Sequence, residues 1–146
     1  MYVYDPDMRS RGRAPRPLIL LVDDIADTRE MYESYLRMAG YGVETADDGH
    51  HAVRLARVAR PDLIVMDLQM PGMDGWAAIR QLRSDPKTAS IPVIVLTGHD
   101  LKDYLKHSAI AEGAAAYLTK PLLPEQLARE ITIRLTDQTT LRRRAV

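Results

Sequence analysis

The sequence contains no cysteine and no phenylalanine, and only one tryptophan among its 146 residues. Without cysteine, a disulfide-stapled scaffold, a Cys-ligated zinc site and thiol catalysis are excluded, and the composition suits a reducing compartment, with the cytoplasm as the default. Seven tyrosines and one tryptophan are too few for a base-stacking nucleic-acid surface, and they leave the core to Leu, Ile, Val, Ala and Met. No apolar run nears the roughly 18–20 residues needed to span a bilayer, and the N-terminus has no apolar stretch of signal-peptide type. With only eight glycines and nine prolines against 46% hydrophobic residues, the chain is expected to fold as a single soluble domain. It also lacks an excess of charge of one sign, since 20 Lys and Arg match 20 Asp and Glu. The balance hides an asymmetry: residues 1–17 and 136–146 each carry a net +2, which leaves −4 on residues 18–135. The arginine-rich ends are read as solvated tails and not as a nucleic-acid or lipid surface, because no basic, aromatic-interleaved stretch accompanies them.

Residues 1–17 hold Pro6, Gly12, Pro15 and Pro17 among arginines, show no periodicity, and read as a flexible leader. Four apolar runs follow: Leu18–Val22, Leu63–Met66, Pro92–Leu96 and the shorter Ala115–Leu118. Unbroken runs of this length are typical of strands buried on both faces of a parallel sheet. Gly42–Ala46 alternates instead and is expected to be an outer strand. Between the runs lie segments with helical spacing: Met31, Tyr32, Tyr35, Leu36 and Ala39; Ala52, Leu55, Ala56 and Ala59; Trp76, Ile79 and Leu82; Leu101, Leu105 and Ala109; Leu127, Ile131 and Leu135. Gly40, Pro61 and Gly113 stand as stop signals. Five alternations of strand and helix predict a doubly wound α/β domain over 18–135 with right-handed crossovers. Residues 136–146 form a tail able to prolong the last helix.

In a parallel sheet all strand C-termini share one edge, where open α/β folds place their ligands. The residues that follow the strands are Asp23 and Asp24, Asp67, Thr97, and Thr119 with Lys120. Carboxylates about 4 Å apart repel by roughly 4 kcal/mol per pair at an effective dielectric of 20, so the three aspartates call for a cation or protons. Mg²⁺ takes oxygen ligands and suits one or two carboxylates plus phosphate oxygens. Lys120 would add charge, Thr97 a hydrogen bond, and one carboxylate could be a covalent phosphoryl acceptor. Each residue alone has a plainer reading: an Asp pair or a threonine is a common helix N-cap, and a lysine before proline a common solvated loop residue. The weight lies in their convergence on one edge.

With these residues in view, the sequence from Pro17 to Leu135 closely resembles the receiver domain of bacterial two-component response regulators. Asp23-Asp24 stands at the family's acidic pair, and Asp67-Leu68-Gln69-Met70-Pro71-Gly72-Met73-Asp74-Gly75 at its phosphoacceptor strand end and loop. Thr97-Gly98 matches the hydroxyl residue and its small neighbour, usually alanine, while Tyr117 matches the switch aromatic and Lys120-Pro121 the lysine with its proline. The resemblance implies a flavodoxin-like five-stranded sheet of order 2-1-3-4-5 with five helices. It also implies that Asp67 is the phosphoacceptor and that Mg²⁺ or Mn²⁺ is held by Asp24, Asp67 and the Gln69 carbonyl, with Asp23 acting largely through water. Lys120 would contact the phosphoryl group, and the Lys120–Pro121 peptide would be cis. Gln69 and His99 would sit where side chains affect access of hydrolytic water. His99 and His107 are not read as ligands, for want of ligand-spaced partners.

The implied function is a switch. A phosphoryl group taken from a sensor histidine kinase or histidine phosphotransfer protein would draw Thr97 inward and let Tyr117 turn towards the core. That would repack the face of the fourth predicted helix, fifth strand and fifth predicted helix, where a downstream protein or a second copy would bind. The eleven residues after Leu135 are too few for an effector domain, so a stand-alone receiver is expected, with self-catalysed phosphorylation and dephosphorylation in place of turnover on an external substrate. Other readings fit less well. A haloacid-dehalogenase-type phosphohydrolase would place a second aspartate where Gln69 stands. A Rossmann or nucleotide-binding flavodoxin-like module would have a glycine-rich loop where Asp23-Asp24-Ile25-Ala26-Asp27 follows the first strand. A receiver fold serving only as a scaffold would be expected to lack the acidic pair, acceptor or lysine, all of which are present.

Overall fold

The computed structural model describes residues 16–98 and 112–144, with side chains described as far as Gln138. Most of the leader, His99, His107 and the helical segment around Leu101–Ala109 lie outside the described residues. The described chain runs β1 (Leu18–Val22), α1 (Ala26–Met38), β2 (Gly42–Ala46), α2 (Gly49–Ala59), β3 (Leu63–Met66), α3 (Gly75–Ser84), β4 (Val93–Thr97), β5 (Ala116–Thr119) and α4 (Pro124–Arg144). All five strands are parallel in the order β2-β1-β3-β4-β5. This is the flavodoxin-like topology, and the three crossovers that lie within the described residues place α1 on one face of the sheet and α2 and α3 on the other.

The unbroken apolar runs are explained by the two faces. Ile19, Leu21, Leu63, Val65, Ile94 and Leu96 point into a core completed by Tyr32 and Leu36 of α1 and by Leu127 and Ile131 of α4. Leu20, Val22, Ile64, Met66, Val93 and Val95 point the other way, against Ala52 and Ala56 of α2 and Ala78, Ile79 and Leu82 of α3. Side chains alternate across a strand, so a strand covered on both sides has no solvent position to fill with a polar residue. Gly42–Ala46 is an edge strand, and Glu44 is its exposed residue.

Several details differ from the sequence reading. β4 begins at Val93, one residue later than the apolar run, because Pro92 has no N–H for the ladder; its carbonyl still accepts from the Ile64 N–H at 2.9 Å. β5 begins at Ala116 and includes Thr119, which pairs in register with Thr97. Met31 and Ala39 fall on the predicted apolar stripe of α1 but are exposed, since that helix buries its Tyr32 and Leu36 line. α1 ends in a Schellman arrangement: Gly40 has φ 102°, its N–H reaches the Arg37 carbonyl, and the Tyr41 N–H reaches that of Leu36. α4 continues well beyond Leu135, to Arg144.

Because Ile64 is fully buried on the central strand β3, Ile64→Ala is expected to cost about 2–5 kcal/mol of unfolding free energy. Met38→Ala, at a position 85% exposed, should change it by less than about 0.5 kcal/mol. Urea denaturation of both variants checks this ranking.

Candidate functional site

The C-terminal edge of the sheet gathers the residues singled out from the sequence. Asp23 and Asp24 follow β1, Asp67 follows the adjacent β3, Thr97 ends β4, and Lys120 follows β5. One ligand oxygen from each of Asp23, Asp24 and Asp67 lies within 4.8 Å of the others. Asp23 and Asp67 are buried, whereas Asp24 is exposed. Strand hydrogen bonding fixes the backbone beneath them: the Asp23 N–H donates to the Ala46 carbonyl and the Asp67 N–H to that of Val22, both at 3.1 Å.

Each buried carboxylate is held by one oxygen and offers the other. Asp23 Oδ1 accepts the Ile25 N–H and Asp67 Oδ1 accepts the Gln69 N–H, both at 2.9 Å, in two similar local turns. Lys120 Nζ lies between the two free oxygens, at 2.6 Å from Asp23 Oδ2 and 3.3 Å from Asp67 Oδ2. The N-capping role open to the Asp pair is not the one the structure uses. The N-cap of α1 is Ile25, without a side-chain capping bond. The aspartates are therefore free for the site.

With all groups ionised, three carboxylates against one ammonium leave −2 on the cluster, the charge a divalent cation neutralises. Burial pushes the Asp67 carboxyl above its ordinary value; the Gln69 N–H and the Lys120 charge oppose this, and the Asp23 charge reinforces it. Burial works to lower Lys120, but its hydrogen bond to Asp23 and the charges of Asp67 and Asp23 outweigh that and hold it above the usual lysine value. The donor set is all oxygen, which fits Mg²⁺ or Mn²⁺ and not a thiolate-preferring metal.

Thr97 is fully buried, and its Oγ1 has no hydrogen-bond partner among the described residues. A buried hydroxyl without a partner costs about 1–3 kcal/mol, so this one is set to accept or donate to a group arriving at the edge. The Lys120 N–H donates to the Thr97 carbonyl at 2.8 Å, which ties these two residues at the backbone. The Lys120–Pro121 peptide is cis. Gln69 is exposed and contributes its N–H to Asp67. Tyr117 lies apart from this cluster, half-buried against the α2/α3 side of the core with its hydroxyl oxygen buried. At Gly98, an alanine Cβ would meet nothing within 4 Å among the described residues, so the glycine is not sterically required there.

Two supports of the site were not legible as such. A Cβ at Gly75 would run into the Asp67 carbonyl oxygen and lie 2.8 Å from Leu68 Cα, so only glycine lets α3 start directly against the Asp67 backbone. The available signal was a glycine following Asp74, which caps α3 through Oδ1 to the Ala77 N–H at 2.8 Å. Arg29 donates from Nη1 to the Asp23 carbonyl at 2.7 Å, a contact without any sequence signature.

This fold and edge define a phosphoacceptor signalling module, and comparison with known proteins agrees. The family described as response regulator receiver domain matches residues 19–132. The chain is 42% identical to Protein PilH of Pseudomonas aeruginosa over 115 residues, covering 77% of this chain and 93% of that one. It is 41% identical over 125 residues to the DNA-binding dual master transcriptional regulator RpaA of Synechocystis, covering 84% of this chain but 51% of the relative, so it spans about half of that protein's length. Among solved structures, the receiver domain of sensor histidine kinase PA1611 from Pseudomonas aeruginosa, with a magnesium ion coordinated in its active-site cleft, superposes with a TM-score of 0.76 at 33% identity, covering 83% of this chain and 98% of that one. The chain belongs to the response regulator receiver domain family.

The raised Asp67 carboxyl gives a test of the electrostatics. Such a group contributes stability that is fully present below the unfolded carboxylate pKa and is lost as pH rises through the higher folded value. At pH 7 without metal, ionised Asp67 therefore subtracts from stability, and Asp67→Asn should melt at or above the wild type. Mg²⁺ at 100 times its dissociation constant should add about 2.7 kcal/mol to the wild type and far less to the variant. Thermal melts in chelator and in Mg²⁺ read both effects.

Proposed function

We propose that Asp67 accepts a phosphoryl group from the phosphohistidine of a sensor histidine kinase or a histidine phosphotransfer protein. The observation that carries this reading is the paired arrangement of Lys120 between the free oxygens of Asp23 and Asp67, beside the partnerless Thr97 hydroxyl. An Asp67 carboxylate oxygen attacks phosphorus as the phosphorus–nitrogen bond breaks. The donor imidazole leaves with the electron pair, and an aspartyl phosphate forms. Mg²⁺ or Mn²⁺, when bound at Asp24, Asp67 and the Gln69 carbonyl with Asp23 acting through water, would neutralise developing charge on the phosphoryl oxygens. The same residues would support self-catalysed labelling by small phosphodonors and self-catalysed hydrolysis of the acyl phosphate.

The switch follows from what each donor gains. Lys120 exchanges contacts, since it already has a carboxylate at 2.6 Å. Thr97 gains a partner where it has none among the described residues, worth about 1–3 kcal/mol. A full reversal from 1:99 to 99:1 needs about 5.5 kcal/mol, so Thr97 alone falls short, and the remainder has to come from the other contacts that form around the phosphoryl group. Tyr117, in register with Val95 two residues before Thr97 on the adjacent β4, would follow the movement of Thr97 and remodel the surface around β5 and α4 for a downstream protein or a second copy.

Amide spectra of the labelled protein test the reading. Acetyl phosphate with Mg²⁺ should shift the Thr97 and Tyr117 resonances of the wild type and leave those of Asp67→Asn unmoved. Lys120→Ala should take the label without the full shift at Tyr117. A shift of equal size in Asp67→Asn would assign the effect to another acceptor.

A further inference from the structure

The segment that carries Lys120 into α4 is Lys120-Pro121-Leu122-Leu123-Pro124, in which two prolines supply no N–H. Its ends are secured by backbone and capping bonds. The Lys120 N–H donates to the Thr97 carbonyl, and the Leu123 N–H donates to Gln126 Oε1 at 3.1 Å, while the Gln126 and Leu127 N–H groups return to the Leu123 carbonyl. Its middle is held from a different element. Tyr32, on α1 and only 2% exposed, donates its hydroxyl to the Leu122 carbonyl at 2.7 Å.

This bond has two properties that a generic core contact lacks. It links α1, which begins three residues after Asp23, to the segment two residues beyond Lys120, so it spans the same two loops that the Lys120–Asp23 ion pair joins. It is also close enough to the charges to be affected by them: burial raises the Tyr32 hydroxyl's pKa, the Lys120 charge opposes this, and the Asp23 charge adds to it. Tyr32 and Lys120, with Pro121 and Leu122, are among the residues that line a cavity of about 680 Å³. An ammonium that must reach a phosphoryl group depends on its backbone for aim.

We infer that Tyr32 is a positioning residue for phosphoryl transfer to Asp67, its hydroxyl fixing the Leu122 carbonyl and thereby the backbone from which Lys120 reaches the acceptor. The inference rests on the function proposed above. Tyr32 touches neither the acceptor nor the phosphodonor, and its effect passes through Lys120.

The test uses the full chain with acetyl phosphate and saturating Mg²⁺, the initial labelling rate being read by intact mass. Tyr32→Phe removes one oxygen and keeps the buried ring. It should slow labelling roughly three- to tenfold, the range that the net worth of one hydrogen bond corresponds to, with the Mg²⁺ affinity unchanged. In a Lys120→Ala background the same substitution should have no further effect, because a residue acting only through Lys120 has nothing left to position. Tyr41→Phe is the matched control: that hydroxyl bonds Thr132 Oγ1 at 2.5 Å, joining the end of α1 to α4 away from the Lys120 segment, and its loss should leave the rate as it was. Equal rates for wild type and Tyr32→Phe would overturn the inference, as would an equal slowing in both Lys120 and Lys120→Ala backgrounds. A wild type that takes no label would remove the self-catalysed labelling proposed above, and the inference with it.

Discussion

The like charge of three carboxylates at one sheet edge is the constraint around which the rest of the molecule is arranged. Asp23, Asp24 and Asp67 lie within 4.8 Å of one another, and two of them are buried. Such an arrangement persists only if the backbone leaves it no freedom and a cation is at hand. The first condition is met by the parallel ladder, which locks the ends of β1 and β3 side by side, and by the turn bonds that each fix one carboxylate oxygen. Lys120 meets part of the second, and the remaining −2 is an electrostatic deficit that a divalent cation would relieve.

That deficit has to be borne by the fold, which explains why the central strands are so thoroughly apolar. Ile19, Leu63, Ile64, Val93 and Ile94 are wholly buried, and each contributes about 1.5–3 kcal/mol by leaving water. The same strands end abruptly in Asp67 and Thr97, the first polar residues after their apolar runs. Core and site are thus consecutive stretches of one strand. Gly75 shows the same economy of space from the helix side, since α3 can begin against the Asp67 backbone only where no Cβ intervenes.

The central strands β1, β3 and β4 were legible in the sequence because burial on both faces leaves runs without a polar interruption, whereas the fourth run, Ala115–Leu118, lies in the edge strand β5, where Ala116 is buried but Ala115 is exposed and Tyr117 and Leu118 are half-buried. Their polar terminators, Asp23, Asp67, Thr97 and Lys120, were legible for the same reason, since the topology places every such residue on one edge. Less could be read where periodicity is shared between neighbouring positions. Met31 and Tyr32 are adjacent on α1 and both apolar, but only Tyr32 faces the sheet. Contacts that close across distant segments leave no local trace, so the Arg29 bond to the Asp23 carbonyl and the Tyr32 bond to the Leu122 carbonyl emerge only in three dimensions. The Thr97 hydroxyl could be guessed to be at the site, but not to be buried without a partner among the described residues.

The most direct measurement of the central claim is intact-protein mass after incubation with acetyl phosphate, with and without Mg²⁺, followed by reduction of the acyl phosphate with borohydride and peptide mapping. The account predicts the gain of one phosphoryl group only when Mg²⁺ is present, with the reduced residue at Asp67. Modification at Asp23, Asp24 or a histidine, with Asp67 untouched, would contradict it.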